Sequence, residues 1–420
     1  MNIDVNYKNK KRYKTGKYPI RQPRFFVGLI WLLSKLTLIG KEYKVEKVNM
    51  EGLKPPYFLL SNHMYFVDFK LCAMGTGSHR INNVVSIDGY YRRPWLMELI
   101  GAICTRKFTL DLHLVKSCLK VVKRGDVLSM YPEARYSPCG TQSYIPESLG
   151  KLVKKGGVPV VAVVHHGNHL HSPFWNFRKK RKVPLHTVMT QILTAEQVAS
   201  MTADEITEAI RTALTYDDYR YQKENGILIT EPFRAEGLHK VLYQCPLCLT
   251  ESRMASRGTE IFCEACGKHW NLNEDGTLSA LTGETEFSHV PDWFEWERQN
   301  VIRQVEDGTY SFEDEVEVWS MPRCWRFIKL GKAVLRHDPV GGFVLEGRYR
   351  GQDYRIHRTP AQTNSLHIEY DYCYLRPEDC VDISTEDDSF YCYPTKQNVV
   401  TKMAFATEAA YQLTRKKKAE

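Results

Sequence analysis

The sequence contains no apolar stretch long enough to cross a lipid bilayer, for which a helix needs about 20 apolar residues. Its longest apolar run, residues 25–39, is interrupted by Ser34 and Lys35. Hydrophobic residues make up 43% and charged residues 25% of the 420 positions, as in ordinary globular domains. These values argue against a polytopic membrane protein and against a largely disordered chain, and the length predicts two or three domains.

A signal-peptide pattern and internal repeats are also absent from the sequence. The twelve cysteines occur in a chain much larger than the secreted domains that disulfides stabilise, and four of them form two Cys-x-x-Cys pairs. We therefore expect a reducing, cytoplasmic environment. The other cysteines, such as Cys72, Cys104 and Cys324, show no ligand spacing and are predicted to be small buried or half-buried residues.

Positive charge is concentrated in a few blocks. The formal net charge is +9, and Lys and Arg crowd residues 8–24, 178–182 and 415–418. Such blocks suit nucleic acid, an anionic lipid surface, or solvent alone. Because the first block precedes the apolar run 25–39, we predict an interfacial helix that docks on a membrane, with a buried core helix as the alternative. The protein is then expected to be peripheral at the inner face of the membrane.

The first half of the chain has the pattern of a layered α/β domain. Short apolar runs at residues 57–60, 84–87, 127–131 and 158–164 predict buried strands. Segments with helical spacing lie between or after them, for example residues 112–124 and 195–214. We therefore predict a layered α/β domain over residues 51–238, after a basic arm and interfacial helix over residues 1–50.

The second half changes in composition. Two cysteine pairs mark residues 239–284 as a small separate segment, and strand-like alternation follows over residues 285–420. The last part, near residues 399–418, has a helical pattern. We predict a β-rich domain closed by one helix, and this order is similar to that of pleckstrin-homology-like domains.

The two cysteine pairs predict a metal site. Four thiolates in two short knuckles can surround one zinc ion tetrahedrally, as in a zinc ribbon, and a site with four protein ligands is closed and structural. Redox dithiols and an iron–sulfur centre are the alternatives. The predicted zinc ligands are Cys245, Cys248, Cys263 and Cys266.

A possible acid–base pair follows the first predicted strand. His63 and Asp68 are five residues apart, so they can meet where a strand ends and a helix begins. A carboxylate that accepts a proton from one imidazole nitrogen holds the tautomer of the ring, which leaves the other nitrogen to remove a proton from an alcohol. Taken alone, this spacing also fits a structural hydrogen bond.

Four short blocks follow one another in the first half of the chain. The first block is Asn62-His63 with Asp68, and the second is Gly101 with Arg106. The third block is residues 131–137 and the fourth is the apolar stretch 158–163. In this order the four blocks resemble the glycerolipid acyltransferase family, the lysophosphatidate (1-acylglycerol-3-phosphate) acyltransferases, over residues 25–215. In the third block, Ala134, Arg135 and Tyr136 stand where the family has Gly, Thr and Arg.

The resemblance implies an O-acyltransferase of phospholipid synthesis. An acyl group would pass from a thioester donor, acyl-CoA or acyl carrier protein, to a hydroxyl of a lysophospholipid or glycerol-phosphate-like acceptor. His63 would be the base and Asp68 its carboxylate, and Arg106 would help bind the phosphate of the acceptor. The substrate-binding residues expected from the resemblance are Asn62, Gly101, Arg106, Glu133, Arg135 and Ser137.

Other functions are weaker fits to the sequence. A zinc-ribbon protein that binds nucleic acid leaves the four blocks unexplained, and residues 249–262 contain only Arg253 and Arg257 as cations. A non-catalytic lipid-binding adaptor would account for the altered third block but not for the intact His63 and Asp68. The histidine-rich residues 165–171 are predicted to form a polar loop, with a metal site as the alternative.

Overall fold

The computed structural model describes residues 17–109, 111–372 and 374–419. Residues 8–16 of the predicted basic arm therefore lie outside the described residues. The chain divides into two compact units. The N-terminal unit contains the described residues of 14–105 and 111–229, and the C-terminal unit contains those of 106–110 and 230–420. The division of the latter into separate domains at residue 285 stays a prediction.

The N-terminal unit is built on a seven-stranded sheet in the order β1-β7-β6-β2-β5-β3-β4. Neighbouring strands are parallel except β6 and β7, which are antiparallel. The predicted α/β architecture is therefore present, with a largely parallel sheet. The strands are β1 (Tyr43–Val48), β2 (Phe58–Ser61), β3 (Ile81–Ser86), β4 (Ile103–Thr105), β5 (Val127–Met130), β6 (Val160–His166) and β7 (Leu185–Leu193).

The central strand β2 is apolar throughout because both faces of the sheet are covered. Phe58 and Leu60 pack in a core cluster with residues of α4, α5 and α8, whereas Tyr57 and Leu59 pack in a second cluster that includes Cys72 of α2. The helices of this unit are α1 (Arg24–Thr37), α2 (Val67–Thr76), α3 (Pro94–Leu99), α4 (Leu112–Lys123), α5 (Ser148–Gly156), α6 (Asn168–His171), α7 (Ala195–Ser200), α8 (Ala203–Ala213) and α9 (Asp218–Glu224).

The helix predicted over residues 195–214 is in fact two helices, α7 and α8. Thr194 caps the first with a capping box, and Thr202 caps the second with another, in which Glu205 completes the reciprocal bond. A Thr with a Glu three residues later starts a new helix because both side chains satisfy backbone N–H groups. The helical spacing of apolar residues continues across the break between α7 and α8, so the sequence pattern predicted one helix.

Helix α1 coincides with the apolar run that we predicted as an interfacial helix. Only Ser34 of this helix is buried, and Phe25, Leu32, Leu33 and Leu36 are exposed. Within the described part of the chain, no helix combines the length and apolarity that crossing a bilayer requires.

The C-terminal unit contains two antiparallel sheets. A four-stranded sheet in the order β11-β10-β9-β8 comes first, and a seven-stranded sheet follows in the order β15-β14-β13-β12-β18-β17-β16. The elements are β8 (Met254–Arg257), β9 (Glu260–Cys263), β10 (His269–Leu272), β11 (Leu278–Ala280), α10 (Val290–Glu306), β12 (Phe312–Ser320), β13 (Ile328–Asp338), β14 (Gly342–Tyr349), β15 (Gln352–Arg358), β16 (His367–Glu369), β17 (Cys380–Ser384), β18 (Ser389–Pro394) and α11 (Val400–Ala419).

The β-rich character and the closing helix of this unit agree with the sequence prediction. The turn between β13 and β14 lies at residues 339–341. Alternate residues from Leu366 to Tyr372 are apolar or aromatic, but only His367–Glu369 (β16) pairs with β17. The similarity to pleckstrin-homology domains stays a prediction.

Close packing of α5 on α8 yields a stability prediction. A Cβ atom at Gly150 would overlap the backbone carbonyl of Ala203 and the side chain of Thr207. Gly150→Ala should therefore lower the free energy of unfolding by about 1–3 kcal/mol, although alanine favours helices. Gly28→Ala in α1 is the matched control, because nothing lies within 4 Å of its Cβ position. Urea titrations in which Gly150→Ala is as stable as Gly28→Ala would contradict this packing.

Candidate active site

The predicted catalytic residues lie at one edge of the N-terminal sheet. Strands β6, β2 and β5 are neighbours and run parallel, so their carboxyl ends share an edge. The chain leaves β2 just before His63, leaves β5 at the start of the third block, and leaves β6 just before Asn168. In open α/β sheets this edge is where ligands bind.

His63 and Asp68 form the hydrogen-bonded pair that their spacing permits. The His63 Nδ1 atom lies 3.1 Å from Asp68 Oδ2, and the same oxygen accepts the backbone N–H groups of Met64 at 2.6 Å and Tyr65 at 3.0 Å. Asp68 is completely buried in the first turn of α2, where the positive end of the helix dipole favours a carboxylate. The His63 side chain is 20% exposed. With Nδ1–H donated to Asp68, Nε2 is the nitrogen that can take a proton.

Asn168 supports the other oxygen of the same carboxylate. Its Nδ2 donates to Asp68 Oδ1 at 2.7 Å, and both side chains are completely buried. Burial alone would raise the pKa of Asp68. Hydrogen bonds from His63 and Asn168, together with the charges of His165 and His63, instead hold the pKa of Asp68 below its usual range. No sequence pattern pointed to Asn168, because it lies 100 residues from Asp68 in a histidine-rich segment.

Asn62 joins β2 to β6 beside this pair. Its Nδ2 donates to the His165 carbonyl at 3.2 Å, and its Oδ1 accepts the His165 N–H at 2.9 Å. Asn62 is completely buried. The side chain therefore holds the backbone of the two strands where the catalytic segment begins.

The third block surrounds His63 with aromatic rings. Tyr131 stacks on the imidazole with ring centroids 3.7 Å apart, and Tyr136 contacts it at 4.3 Å with tilted planes. The Ser137 N–H donates to the His63 carbonyl at 2.8 Å. The block thus packs directly on the His63 ring, and sequence reasoning overlooked both tyrosines as its partners.

The backbone of the third block explains why the family has glycine where this chain has Ala134. Ala134 has φ 54°, in the left-handed region that costs a residue with a side chain about 1–2 kcal/mol. Its neighbour Glu133 is buried and accepts the Ser143 N–H at 2.8 Å. Burial raises the pKa of Glu133 to about 7, although the hydrogen bond from Ser143 by itself lowers this pKa. Ser137 Oγ donates to the Thr141 carbonyl, and Arg135 is buried.

The two residues of the second block belong to different units. Gly101 has φ 76° in the N-terminal unit, and a Cβ there would overlap the Asn82 side chain. Arg106 belongs to the C-terminal unit, where its Nη1 donates to the Met321 carbonyl at 3.2 Å and to Ser389 Oγ at 3.1 Å. The role of Arg106 in binding the acceptor stays a prediction.

The histidine-rich segment is not the polar loop that we predicted. His165 ends β6 with His166, and the next imidazoles, of His169 and His171, are buried on α6. Burial lowers the pKa of His165 to about 4 and that of His169 to about 3, so these rings are neutral at pH 7. Among the described residues, these histidines are not part of any group close enough to share a metal ion.

The four predicted zinc ligands lie together in the C-terminal unit. Their sulfur atoms are all within 4.8 Å of one another, and the pairs Cys245–Cys266 and Cys248–Cys263 are each 3.7 Å apart. A tetrahedron with Zn–S bonds of 2.3 Å has sulfur separations of about 3.8 Å. The cluster is therefore of the right size and chemistry to hold a metal ion.

Comparisons with known proteins agree with the predicted family resemblance. No protein-family profile matches the chain. A chloroplast 1-acyl-sn-glycerol-3-phosphate acyltransferase of Brassica napus is 24% identical over 155 residues, which are 34% of this chain and 42% of the relative. The chain thus matches less than half the length of that relative. This weak homology confirms the similarity to glycerolipid acyltransferases that the four blocks indicated.

A solved structure is also similar to part of the chain. The 1-acyl-sn-glycerophosphate (LPA) acyltransferase PlsC of Thermotoga maritima matches with a TM-score of 0.37 and 15% identity. The match covers 45% of this chain and 77% of that chain.

Removing the Asn168 side chain should weaken the protein in a pH-dependent way. Asn168→Ala leaves a buried carboxylate oxygen without its donor, which should cost about 1–3 kcal/mol of unfolding free energy at pH 7. The pKa of Asp68 is lower in the folded protein than its usual 3.8, so the ionised carboxylate stabilises the fold above pH 3.8. This stabilisation is lost as the pH falls through the folded pKa. The difference in unfolding free energy between wild type and Asn168→Ala should therefore shrink between pH 5 and pH 3. Urea titrations across this range measure it, with the exposed Asn225→Ala as control. A deficit that does not change with pH would refute the link to Asp68.

Proposed function

We propose that this chain is an acyltransferase related to the lysophosphatidate acyltransferases and acts in phospholipid synthesis. It would move an acyl group from acyl-CoA or acyl carrier protein to a hydroxyl of a lysophospholipid or glycerol-phosphate-like acceptor. The observation that carries the proposal is the hydrogen-bonded His63–Asp68 pair at the carboxyl edge of the sheet. The weak homology to a plant acyltransferase supports the same reaction class.

In this reaction His63 acts as general base. Its Nε2 removes the proton of the acceptor hydroxyl while the oxygen attacks the thioester carbonyl, and the C–O bond forms as the carbonyl electrons move to oxygen. Asp68 stabilises the imidazolium that results. When the tetrahedral intermediate collapses, the C–S bond breaks and the leaving thiolate takes the proton from His63. The ester and the free thiol are the products.

The roles expected for the substrate-binding residues are part of the proposal. Asn62 and Gly101 would act by holding backbone segments in place, since their contacts are with the backbone of His165 and with Asn82. Glu133 and Ser137 would hold the third block against His63 through Ser143 and Thr141. Arg106 and Arg135 are buried cations that we propose as additional contacts to an anionic substrate.

Membrane docking through α1 would bring the acceptor to this site. The exposed side chains of Phe25, Leu32 and Leu36 form an apolar stripe at helical spacing, and Lys35 lies on the same helix. Such a helix lies in the headgroup region when cations nearby meet anionic lipid. We propose a peripheral attachment at the cytoplasmic face.

The cysteine cluster would hold a structural zinc ion. Four protein thiolates fill a tetrahedral coordination shell and leave no position for a substrate, so the ion would stabilise the β8–β9 region and take no part in acyl transfer. Nucleic-acid binding by this segment is the weaker alternative, because residues 249–262 contain only two cations, Arg253 and Arg257.

Substitution of the base should abolish acyl transfer. His63→Ala removes the proposed base and is expected to reduce kcat by about 10⁴-fold or more. Asp68→Asn should reduce kcat by roughly the same factor, because without the carboxylate the imidazole is no longer held in the tautomer that leaves Nε2 unprotonated. Transfer from radiolabelled acyl-CoA and acyl carrier protein to lysophospholipids, glycerol 3-phosphate and monoacylglycerol measures this, with His113→Ala in α4 as control. Wild-type activity in His63→Ala would exclude the mechanism. Lipid binding without any transfer by the wild type would favour the adaptor function instead.

Zinc binding can be tested independently of activity. Elemental analysis should find one zinc ion per wild-type chain and about none in Cys266→Ser, with a lower melting temperature for the variant. Cys380→Ser, which changes a buried cysteine of the same unit, should keep its zinc. Equal zinc contents in the two variants would show that the four-cysteine site does not hold the ion.

A further inference from the structure

Helix α10 holds the residue that precedes the first cysteine knuckle, which begins at Cys245. The Gln244 N–H donates to Glu297 Oε1 at 2.7 Å, and Trp293 Nε1 donates to the Gln244 carbonyl at 3.0 Å. The side chain of Gln244 is bound as well, because its Oε1 accepts from Asn300 Nδ2 at 2.8 Å. Positions spaced by three and four residues share one face of a helix. A single face of α10 therefore fixes both the backbone and the side chain of Gln244.

The same glutamine closes the first knuckle from its other end. Gln244 Nε2 donates to the Leu249 carbonyl at 3.1 Å, and the Cys245 N–H donates to the Thr250 carbonyl at 3.0 Å. The Leu249 N–H returns to the Cys245 carbonyl at 3.0 Å. The loop that carries two of the four thiols is thus tied at both ends to a residue that α10 holds.

Trp293 also reaches the flank of the second knuckle, which begins at Cys263. Its ring lies 5.0 Å from that of Trp270 in an edge-on contact, and both side chains are completely buried. Trp270 follows the second knuckle on β10, and its Nε1 donates to Glu286 Oε2 at 2.9 Å. Lys268 donates to the other oxygen of Glu286 and accepts the Cys263 N–H at its carbonyl. One tryptophan of α10 therefore contacts the flanks of both knuckles.

The buried carboxyl group of Glu297 has no other evident purpose than its bond to Gln244. Glu297 is completely buried, and removal of a carboxyl group from water is unfavourable unless a hydrogen bond compensates for it. An apolar side chain of similar size would fill the same space without this cost. The carboxyl group is consequently explained by what it holds, the backbone beside Cys245.

Helix α11 keeps α10 in place in turn. The rings of Phe294 and Phe405 lie 4.8 Å apart, and Arg298 Nη1 donates to Glu408 Oε2 at 2.7 Å. Because α10 is packed on a second helix, it can serve as a rigid support for the knuckles. The bonds from α10 to Gln244 also cross residue 285, where we predicted a domain boundary.

We propose that Trp293 and Glu297 are positioning residues of the metal site, which fix the two knuckles relative to each other and thereby set the zinc affinity of the four cysteines. The inference rests on the structural zinc ion proposed above and deepens it. Ionised thiolates repel one another, and knuckles that were free to move would have to be ordered when the ion binds. Supports that hold the ligands beforehand remove this cost, and their loss typically weakens metal binding by about 10–100-fold.

Zinc affinity of the full chain, measured by competition with a chromophoric chelator, tests the role of α10. Glu297→Ala should bind zinc about 10–100-fold more weakly than the wild type. Glu297→Gln keeps an oxygen that can accept the Gln244 N–H, so its affinity should stay within about threefold of the wild type. Trp293→Phe keeps an aromatic ring but loses the N–H donor, and its affinity should fall by about three- to tenfold.

The matched control is Leu345→Ala, which removes a completely buried side chain from β14 of the same unit. It should lower the melting temperature without weakening zinc binding, and circular dichroism checks that every variant folds. The visible absorption of bound Co²⁺ adds a readout of tetrahedral thiolate geometry, which should change in Glu297→Ala and persist in Glu297→Gln and in the control.

The outcomes separate the role of α10 from the metal site itself. Wild-type zinc affinity in Glu297→Ala, an equal loss in Glu297→Gln, or an equal loss in Leu345→Ala would each overturn the positioning role while leaving the zinc ion in place. A wild-type chain that binds neither zinc nor cobalt would refute the metal site and this inference together. Neither result depends on whether the chain transfers acyl groups.

Discussion

The arrangement of the candidate site depends on the buried carboxylate of Asp68. An ionised carboxylate away from water is unfavourable by several kcal/mol unless its oxygens are hydrogen-bonded. Here one oxygen accepts from the His63 ring and from two backbone N–H groups, and the other accepts from Asn168. These bonds tie the end of β2, the start of α2 and the segment after β6 to one charge. The orientation of the His63 ring is therefore set by groups that come from separate parts of the chain.

The parallel sheet is what brings those parts together. Because β6, β2 and β5 are neighbours with the same direction, the segments that follow them emerge side by side. The segment after β2 contributes His63, the segment after β6 contributes Asn168, and the segment after β5 contributes Tyr131. The apolar character of β2 on both faces, where Phe58 and Leu59 enter different core clusters, keeps this edge rigid. A rigid edge suits a base that must stay aligned with its carboxylate.

The altered third block packs on the His63 ring. Ala134 holds the left-handed conformation that glycine adopts without strain, so the loop keeps its path despite the replacement. Tyr136, in contrast, brings an aromatic ring to His63 where the family block has an arginine. We regard this replacement as the main physical difference from the family pattern.

Local relations could be read from the sequence, because they need only a few neighbouring residues. The His63–Asp68 spacing, the two cysteine knuckles, the α/β pattern and the helix after residue 24 are of this kind, and their residues occur where they were expected. The break between α7 and α8 is also a local feature, marked by the Thr202 and Glu205 capping box. It was missed because the helical spacing of apolar residues continues across it. The bond from Asn168 to Asp68 and the stacking of Tyr131 on His63 could not be predicted. They depend on which strands are neighbours, and strand order is decided by long-range packing of apolar faces that no short pattern records.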